Sequence, residues 1–280
     1  MRVKNHPLPD LEKILPALAL SILVALYAVI CYERNDIWLN EKTLWQDVVS
    51  KSPYKSRGYT YLGIAYAKDK DFAEAEENLL RAVSINPTNV ETRYNLGVFY
   101  IDMKRYDLAK REFSVVLELR PDLTETYLAL ARVYTLEGDY AASAKILEKS
   151  SNIWKEDMSM RLDLGFSNAR SGKLAEAETD FKAVLEKNPN TASALNGLGN
   201  IYLMNGKYEE ALSQYIKATR ALPSNPEPLF NSAMALERLG RKKEALEYYE
   251  RFIAAATPEY SDAAKKARQK VETLKGASLH

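Results

Sequence analysis

Cysteine and histidine are nearly absent from this sequence. Cys31 is the only cysteine in 280 residues, so neither an internal disulfide nor a zinc site built on several cysteines can form. The two histidines, His6 and His280, stand near opposite ends of the sequence. A Ser-His-Asp or Cys-His catalytic constellation and a histidine-ligated metal are therefore excluded from the body of the chain. We expect no cofactor and no catalysis.

The sequence also lacks an excess of charge of either sign. It contains 39 basic and 38 acidic side chains. Four of the basic and three of the acidic side chains fall within residues 1–34, which leaves 35 of each sign in residues 35–280. A neutral body has no general attraction for phosphate backbones, so nucleic acid is not an expected partner.

One stretch near the N-terminus contains no charged side chain. It runs for 19 residues from Ile14 to Tyr32, and as a helix it would be roughly 28 Å long, close to the thickness of a bilayer core. Tyr27 and Tyr32 suit a membrane–water interface. We therefore expect a retained transmembrane helix over residues 14–32. The alternatives are a buried core helix or a cleaved signal peptide, although residues 29–32 are large where cleavage requires small side chains.

The charges that flank this stretch favour one orientation. Arg2, Lys4 and Lys13 precede it, whereas Arg34 and Lys42 are the nearest basic residues after it. Positive charge is enriched on the cytoplasmic side of membrane helices. The sequence therefore predicts a cytoplasmic N-terminus, with the body on the exported side, whether periplasmic, extracellular or lumenal.

An internal repeat with a period of 34 residues follows. Small residues recur at this spacing, namely Gly63, Gly97, Ala131, Gly165, Gly199 and Ala233. Large residues recur 16 positions later, namely Leu79, Phe113, Leu147, Phe181, Tyr215 and Tyr249. This pattern is typical of a helix–turn–helix unit, in which the small residue lets two helices approach and the large one fills the seam between them. Gly138, Gly172, Gly206 and Gly240 are expected to end the first helix in a left-handed conformation.

The pattern closely resembles the tetratricopeptide repeat, which implies an all-α solenoid. The predicted repeats are 56–89, 90–123, 124–157, 158–191, 192–225 and 226–259. Outside them, the predicted segments are an N-terminal tail over 1–13, a junction with an N-terminal capping helix over 33–55, and a C-terminal capping helix and tail over 260–280. An apolar stripe that includes Ala264, Ala267 and Leu274 supports the C-terminal cap, because a solenoid needs terminal helices with a polar outer face.

The segment from Arg34 through Trp45 to Pro53 has a second likeness. It resembles the junction between the last membrane helix and the first repeat in multi-span O-mannosyltransferases that carry C-terminal tetratricopeptide repeats. The membrane helices that carry catalysis in that family are absent from this sequence, so this chain alone is not expected to transfer a sugar. The resemblance implies that the repeats lie outside the cytoplasm.

The resemblance to tetratricopeptide repeats also implies a binding groove. The fifth, sixth and ninth positions of each repeat would point into the concave face. The predicted polar contacts are Asn95, Arg132, Asn196, Asn200 and Asn231, and the predicted apolar anchors are Ile64, Tyr94, Val98, Phe166, Phe230 and Met234. An asparagine amide offers both a donor and an acceptor, so it can pair with the backbone of an extended peptide. The alternative for the aliphatic members is packing between neighbouring first helices.

The sequence thus predicts a membrane-anchored adaptor that binds a protein or peptide segment and has no catalytic activity. Two alternatives stay open: a substrate-recruiting arm of a separate membrane glycosyltransferase, and a structural module that self-associates into a homo-oligomer. We also expect the stack to be weakest near residues 151–168. There, Lys155 replaces the usual proline, Ser150 replaces a small apolar residue and Asn168 replaces the usual tyrosine. Trp154 is expected to fill this seam.

Overall fold

The computed structural model describes residues 11–153 and 157–276, and all regular structure within them is helical. The chain divides into two compact units, Met1–Pro121 and Asp122–His280. Unit 1 contains α1 (Leu11–Trp38), α2 (Glu41–Lys51), α3 (Ser56–Lys68), α4 (Phe72–Ile85), α5 (Val90–Asp102) and α6 (Tyr106–Leu119). Unit 2 contains α7 (Thr124–Glu137), α8 (Tyr140–Ser150), α9 (Met158–Arg170), α10 (Leu174–Lys187), α11 (Ala192–Met204), α12 (Tyr208–Ala221), α13 (Glu227–Arg238), α14 (Lys242–Ala255), a short 3-10 turn (Pro258–Tyr260) and α15 (Ser261–Gly276). The predicted all-α architecture is confirmed.

In the part of the chain that the structure describes, no helix combines the length and the apolar character that a membrane crossing requires. The predicted transmembrane character of residues 14–32 is therefore not supported by the structure.

The first helix, α1, nevertheless exposes large apolar and aromatic side chains. They are Leu18, Leu20, Ile22, Leu23, Val24, Leu26, Tyr27, Val29 and Tyr32. Cys31, the single thiol, is exposed on the same helix. Because these side chains are not buried by unit 1, α1 contributes little to its core.

The hairpins close because their first helices carry a small residue opposite a large one. A Cβ atom added at Gly97 would lie 2.6 Å from Cε1 of Phe113, and one added at Gly199 would lie 2.5 Å from Cε1 of Tyr215. Both aromatic rings are fully buried. The predicted pairing of small and large residues is therefore confirmed, and packing of this density leaves no room for even one methyl group.

Every hairpin turns through the same pair of backbone hydrogen bonds. In the third hairpin, the amide of Gly138 donates to the carbonyl of Thr135 at 3.1 Å and the amide of Asp139 donates to that of Tyr134 at 2.9 Å. This is a Schellman motif, and its penultimate residue needs a positive φ. Gly138 has a φ of 81°, and the predicted left-handed conformation of the four glycines is confirmed.

The first two hairpins use lysine where the others use glycine. Lys70 has a φ of 67° and Lys104 a φ of 56°. Lys70 lies 34 residues before Lys104, and Lys104 lies 34 residues before Gly138, so both lysines occupy the same turn position as the glycines. Their backbone amides make the same bonds, for example from Lys104 to Ile101 at 2.9 Å. This conformation was not predictable from residue type, because lysine adopts it only at a cost in free energy.

The two ends of the repeat array are covered by additional helices. On the N-terminal side, the ring of Trp45 in α2 stacks on Tyr61 of α3, with centroids 4.7 Å apart. On the C-terminal side, α15 buries Ala264, Ala267 and Leu274 against α13 and α14. Capping of this kind shields the apolar faces of the terminal repeats from water.

Polar side chains lie in the core of the fourth hairpin. Asn168 is buried and donates from Nδ2 to Oδ2 of Asp180 at 3.1 Å, while its own Oδ1 is buried without a hydrogen-bond partner in the described structure. Burial raises the pKa of the Asp180 carboxyl, while Asn168 and Arg161 act against that rise. Ser150 is buried as well. The predicted weakness of this region stays a prediction, and Trp154 and Lys155 lie outside the described residues.

Candidate binding groove

The predicted groove residues are divided between the two units. Tyr94, Asn95 and Val98 belong to α5 of unit 1, and Ile64 belongs to α3. The others belong to unit 2, namely Arg132, Phe166, Asn196, Asn200, Phe230, Asn231 and Met234.

In unit 1, part of the predicted set packs within its own repeat. The ring of Tyr94 lies 5.6 Å from that of Phe113, and Asn95 donates from Nδ2 to the carbonyl of Glu91 at 2.8 Å. Tyr94, Asn95 and Val98 are all half-buried. One amide proton of Asn95 is thus used within its helix, while its oxygen has no partner in the described structure.

In unit 2, the structure brings three predicted asparagines together. Asn231 on α13 donates from Nδ2 to Oδ1 of Asn196 at 3.0 Å and to Oδ1 of Asn200 at 3.3 Å, both on α11. Asn196 in turn donates from Nδ2 to Oε1 of Glu227 at 3.1 Å. Tyr215 donates from its hydroxyl to Oδ1 of Asn200 at 2.7 Å. We call Asn196, Asn200, Asn231, Glu227 and Tyr215 the amide network.

Two members of the amide network were missed at the level of sequence. Tyr215 was predicted only as a seam residue, and Glu227 was not considered. Most other repeats carry phenylalanine or leucine at the position of Tyr215. A buried tyrosine hydroxyl normally finds a hydrogen-bond partner, so this hydroxyl could have indicated that Tyr215 bonds to a polar neighbour. Burial, with the nearby charge of Glu227, raises the pKa of Tyr215, so the phenol remains a proton donor.

The amide network borders a surface cavity of about 340 Å³. Its walls come from α9, α10, α11 and the start of α13. Its lining residues are Phe166, Ala169, Arg170, Phe181, Ser193, Asn196, Gly197, Asn200, Met204, Asn225 and Glu227. Phe166 is 36% exposed and meets the buried ring of Phe181 edge-on, with centroids 5.1 Å apart. The cavity therefore combines an aromatic wall with a polar one.

Both charged side chains of the cavity already interact with neighbours. Arg170 donates to the hydroxyl of Tyr140 at 3.4 Å and its guanidinium lies 5.4 Å from the centre of that ring. Glu227 accepts from Asn196. Asn225 is also engaged, because its Oδ1 accepts from the amide of Glu227 at 3.0 Å at the start of α13. The partners Tyr140 and Asn196 are neutral, so the cavity presents one positive and one negative side chain.

The remaining predicted contacts differ in exposure. Arg132 on α7 is exposed. Phe230 and Met234 are half-buried on α13 and pack against the core, with Phe230 edge-on to Tyr249 at 5.5 Å and to Phe252 at 5.2 Å. Phe230 thus packs on α14, the second helix of its own repeat, and the predicted alternative of aliphatic packing between neighbouring first helices stays open. In the described residues, no group of three or more His, Cys, Asp or Glu side chains could hold a metal ion.

Comparison with protein families identifies the repeat. Sequence models of the tetratricopeptide repeat match residues 66–122, 124–153, 162–226 and 205–261. The human protein O-mannosyl-transferase TMTC3 is 23% identical over 264 residues, which cover 88% of this chain and 29% of that protein. This chain therefore spans less than a third of the length of that relative. The similarity supports the resemblance inferred from the junction.

Solved structures show the same fold. A tetratricopeptide repeat protein from Parabacteroides merdae superposes with a TM-score of 0.61 at 15% identity, over 87% of this chain and 94% of that one. YrrB, described as a tetratricopeptide repeat protein with an unusual peptide-binding site, superposes with a TM-score of 0.56 at 20% identity, over 66% of this chain and 95% of that one. At these identities the likeness concerns the fold alone.

Proposed function

Because the chain belongs to the tetratricopeptide repeat family, we propose that it is a non-catalytic adaptor that holds an extended segment of another protein. The observation that carries this proposal is the amide network beside the cavity of unit 2. Asparagine side chains pair with peptide backbone whatever its sequence, which suits a protein that binds an extended segment. YrrB, which has a similar fold, is itself described as peptide-binding.

We also propose that α1 attaches the adaptor to a membrane and that residues 35–280 lie on the exported side. The exposed apolar side chains of α1 and the charge-free stretch 14–32 support attachment. The basic residues before the stretch support the orientation. Protease added to spheroplasts is expected to digest the repeats, whereas protection of the repeats would place them in the cytosol.

A matched pair of double variants tests the groove. Asn200→Ala with Asn231→Ala removes two members of the amide network, and Glu178→Ala with Glu247→Ala changes the outer helices α10 and α14. Crosslinking from membranes, followed by mass spectrometry, compares the partners that each variant captures. We expect capture to fail with the asparagine variant alone, and loss with the glutamate variant alone would contradict the proposal.

Stability must be checked in the same experiment. Asn200 and Asn231 are half-buried and hydrogen-bonded, so each lost hydrogen bond is expected to cost about 1 kcal/mol. Circular dichroism at the working temperature must show unchanged helicity for both double variants. Only then does a difference in capture report on binding.

A second candidate is favoured by the similarity to TMTC3. We propose as the alternative that the chain recruits substrate for a separate membrane glycosyltransferase, since the similarity covers 88% of this chain. The same crosslinking experiment distinguishes the two, because a multi-span transferase among the captured proteins would favour recruitment. The further alternative of self-association predicts that the sedimentation coefficient rises with protein concentration.

A further inference from the structure

A second surface cavity lies in unit 2, apart from the amide network. Its volume is about 660 Å³, and it shares no lining residue with the cavity beside the amide network. Leu185 of α10 and Leu195 of α11 line it, together with Gln214, Lys217 and Arg220 of α12. Every charged side chain in this lining is positive. We call this space the basic cavity.

The two cations of the basic cavity carry uncompensated charge. Lys217 and Arg220 are exposed, and within the described residues neither makes a hydrogen bond or an ion pair. They stand three apart on α12, where like charges repel, and no acidic residue lies three or four positions from either one. Lys182 on α10, by contrast, is paired with Glu178 at 2.6 Å. An anion between Lys217 and Arg220 would relieve their repulsion.

Two side-chain amides of the basic cavity also lack partners. Asn190 donates from its backbone amide to Oδ1 of Asn188 at 3.3 Å, but its side chain makes no hydrogen bond in the described structure, and neither does that of Gln214. Each side-chain amide offers a donor and an acceptor, which is the complement of a peptide unit. A fully ionised inorganic oxyanion accepts hydrogen bonds but donates none, so it would leave both amide oxygens unused. The amides therefore favour a peptide over a simple anion.

The aliphatic side chains come from different helices than the charge. Leu185 belongs to α10 and Leu195 to α11, whereas both cations belong to α12. In an extended segment, successive side chains point to opposite sides. A segment in which acidic and aliphatic residues alternate can therefore direct its carboxylates to α12 and its aliphatic groups to Leu185. The volume of about 660 Å³ lies within the range of roughly 300–1,000 Å³ that is usual for ligand pockets.

We propose that the basic cavity binds an acidic segment of a partner protein, in which aspartate or glutamate alternates with aliphatic residues. The carboxylates pair with Lys217 and Arg220, the peptide backbone bonds to Asn190 and Gln214, and an aliphatic side chain packs on Leu185. This site goes beyond the proposed groove function, because it selects for negative charge and does not depend on the amide network.

Capped hexapeptides test the preference for negative charge. Acetyl-Gly-Asp-Leu-Asp-Leu-Gly-amide is compared with the same peptide carrying Asn or Lys in place of Asp, and with inorganic phosphate. Binding to the full 280-residue chain is measured by calorimetry in one detergent at low salt, with detergent-only blanks subtracted. We expect the Asp peptide to bind at least about tenfold more tightly than the Asn peptide, and the Lys peptide to bind most weakly. Added salt should narrow these differences, because exposed charges are screened.

A matched pair of double variants assigns the preference to the basic cavity. Lys217→Gln with Arg220→Gln removes its two cations. Lys265→Gln with Arg268→Gln removes an exposed pair of the same spacing on α15 that lines neither cavity. The first double variant should weaken binding of the Asp peptide at least about fivefold, whereas the second should leave it within about twofold. All four side chains are exposed, so both double variants should fold, which circular dichroism checks.

Three results would overturn the proposed acidic-segment site. They are equal affinity of the wild type for the Asp and Asn peptides, tighter binding of inorganic phosphate than of the Asp peptide, and equal losses in the two double variants. The second of these would indicate a phosphorylated ligand instead. None of them affects the groove function, because crosslinking with the asparagine variants tests it separately.

Discussion

Replacement of the left-handed lysines by glycine should stabilise the protein. A residue with a Cβ atom loses roughly 1–2 kcal/mol in the left-handed region, whereas glycine does not. Glycine in turn has more conformational freedom in the unfolded chain, which offsets roughly 0.5–1 kcal/mol. Lys70 and Lys104 make no side-chain hydrogen bond or ion pair in the described structure, so little else is lost. Each Lys→Gly change should therefore raise the free energy of unfolding by about 0.5–1 kcal/mol.

The same substitution elsewhere must have the opposite sign. Lys145 is exposed in the interior of α8, where Lys→Gly should cost close to 1 kcal/mol. The assay is urea-induced unfolding followed by circular dichroism on the wild type, Lys70→Gly, Lys104→Gly, the double variant and Lys145→Gly. The two turn changes lie in separate hairpins, so their effects should add. A decrease for the turn variants as large as that for Lys145→Gly would refute the reasoning from backbone strain.

Three further outcomes follow from the packing. Gly97→Ala should lower the free energy of unfolding in the same urea titration by about 1–3 kcal/mol, because the new methyl group meets Phe113. The control Gly276→Ala should be neutral, because a methyl group there meets nothing within 4 Å. The pKa of Asp180 is raised, so the folded state binds the proton of this carboxyl more tightly than the unfolded chain does. The contribution of Asp180 to stability should therefore fall as pH rises from about 4 through the folded pKa. Asp180→Asn should flatten that part of the pH profile, and an unchanged profile would contradict the assignment. Backbone amides of α9 should exchange with deuterium faster than those of α11, and equal protection would contradict the predicted weak region.

Periodicity was sufficient to predict the helical hairpins. Small residues such as Gly97 and large ones such as Phe113 report helix–helix contact directly, because only a small side chain permits the approach that the structure shows. The glycine turns were equally predictable, since a positive φ strongly favours that residue. The lysine turns were not, because their conformation is imposed by the hydrogen bonds of the hairpin rather than by the preference of the residue.

The candidate site was only partly predictable. Repeat position indicated which asparagines to examine, but it could not indicate that Asn231 would reach back to Asn196 and Asn200 on another helix. That contact depends on side-chain direction between neighbouring repeats, which a period of 34 does not encode. For the same reason Glu227 was missed, although it binds Asn196. Repeat position also could not separate open groove residues from those, such as Phe230, that pack on the core.

The single exposed thiol on α1 makes this protein unusually convenient for labelling. Because Cys31 is the only cysteine in the sequence, a maleimide dye would attach at one defined place without any engineered substitution. The emission of an environment-sensitive fluorophore there would distinguish hydrocarbon from water around α1 while the repeats remain chemically untouched. Trp38 belongs to α1 itself, so energy transfer from Trp45 of α2, measured in a Trp38→Phe variant, would report movement of that helix relative to α2.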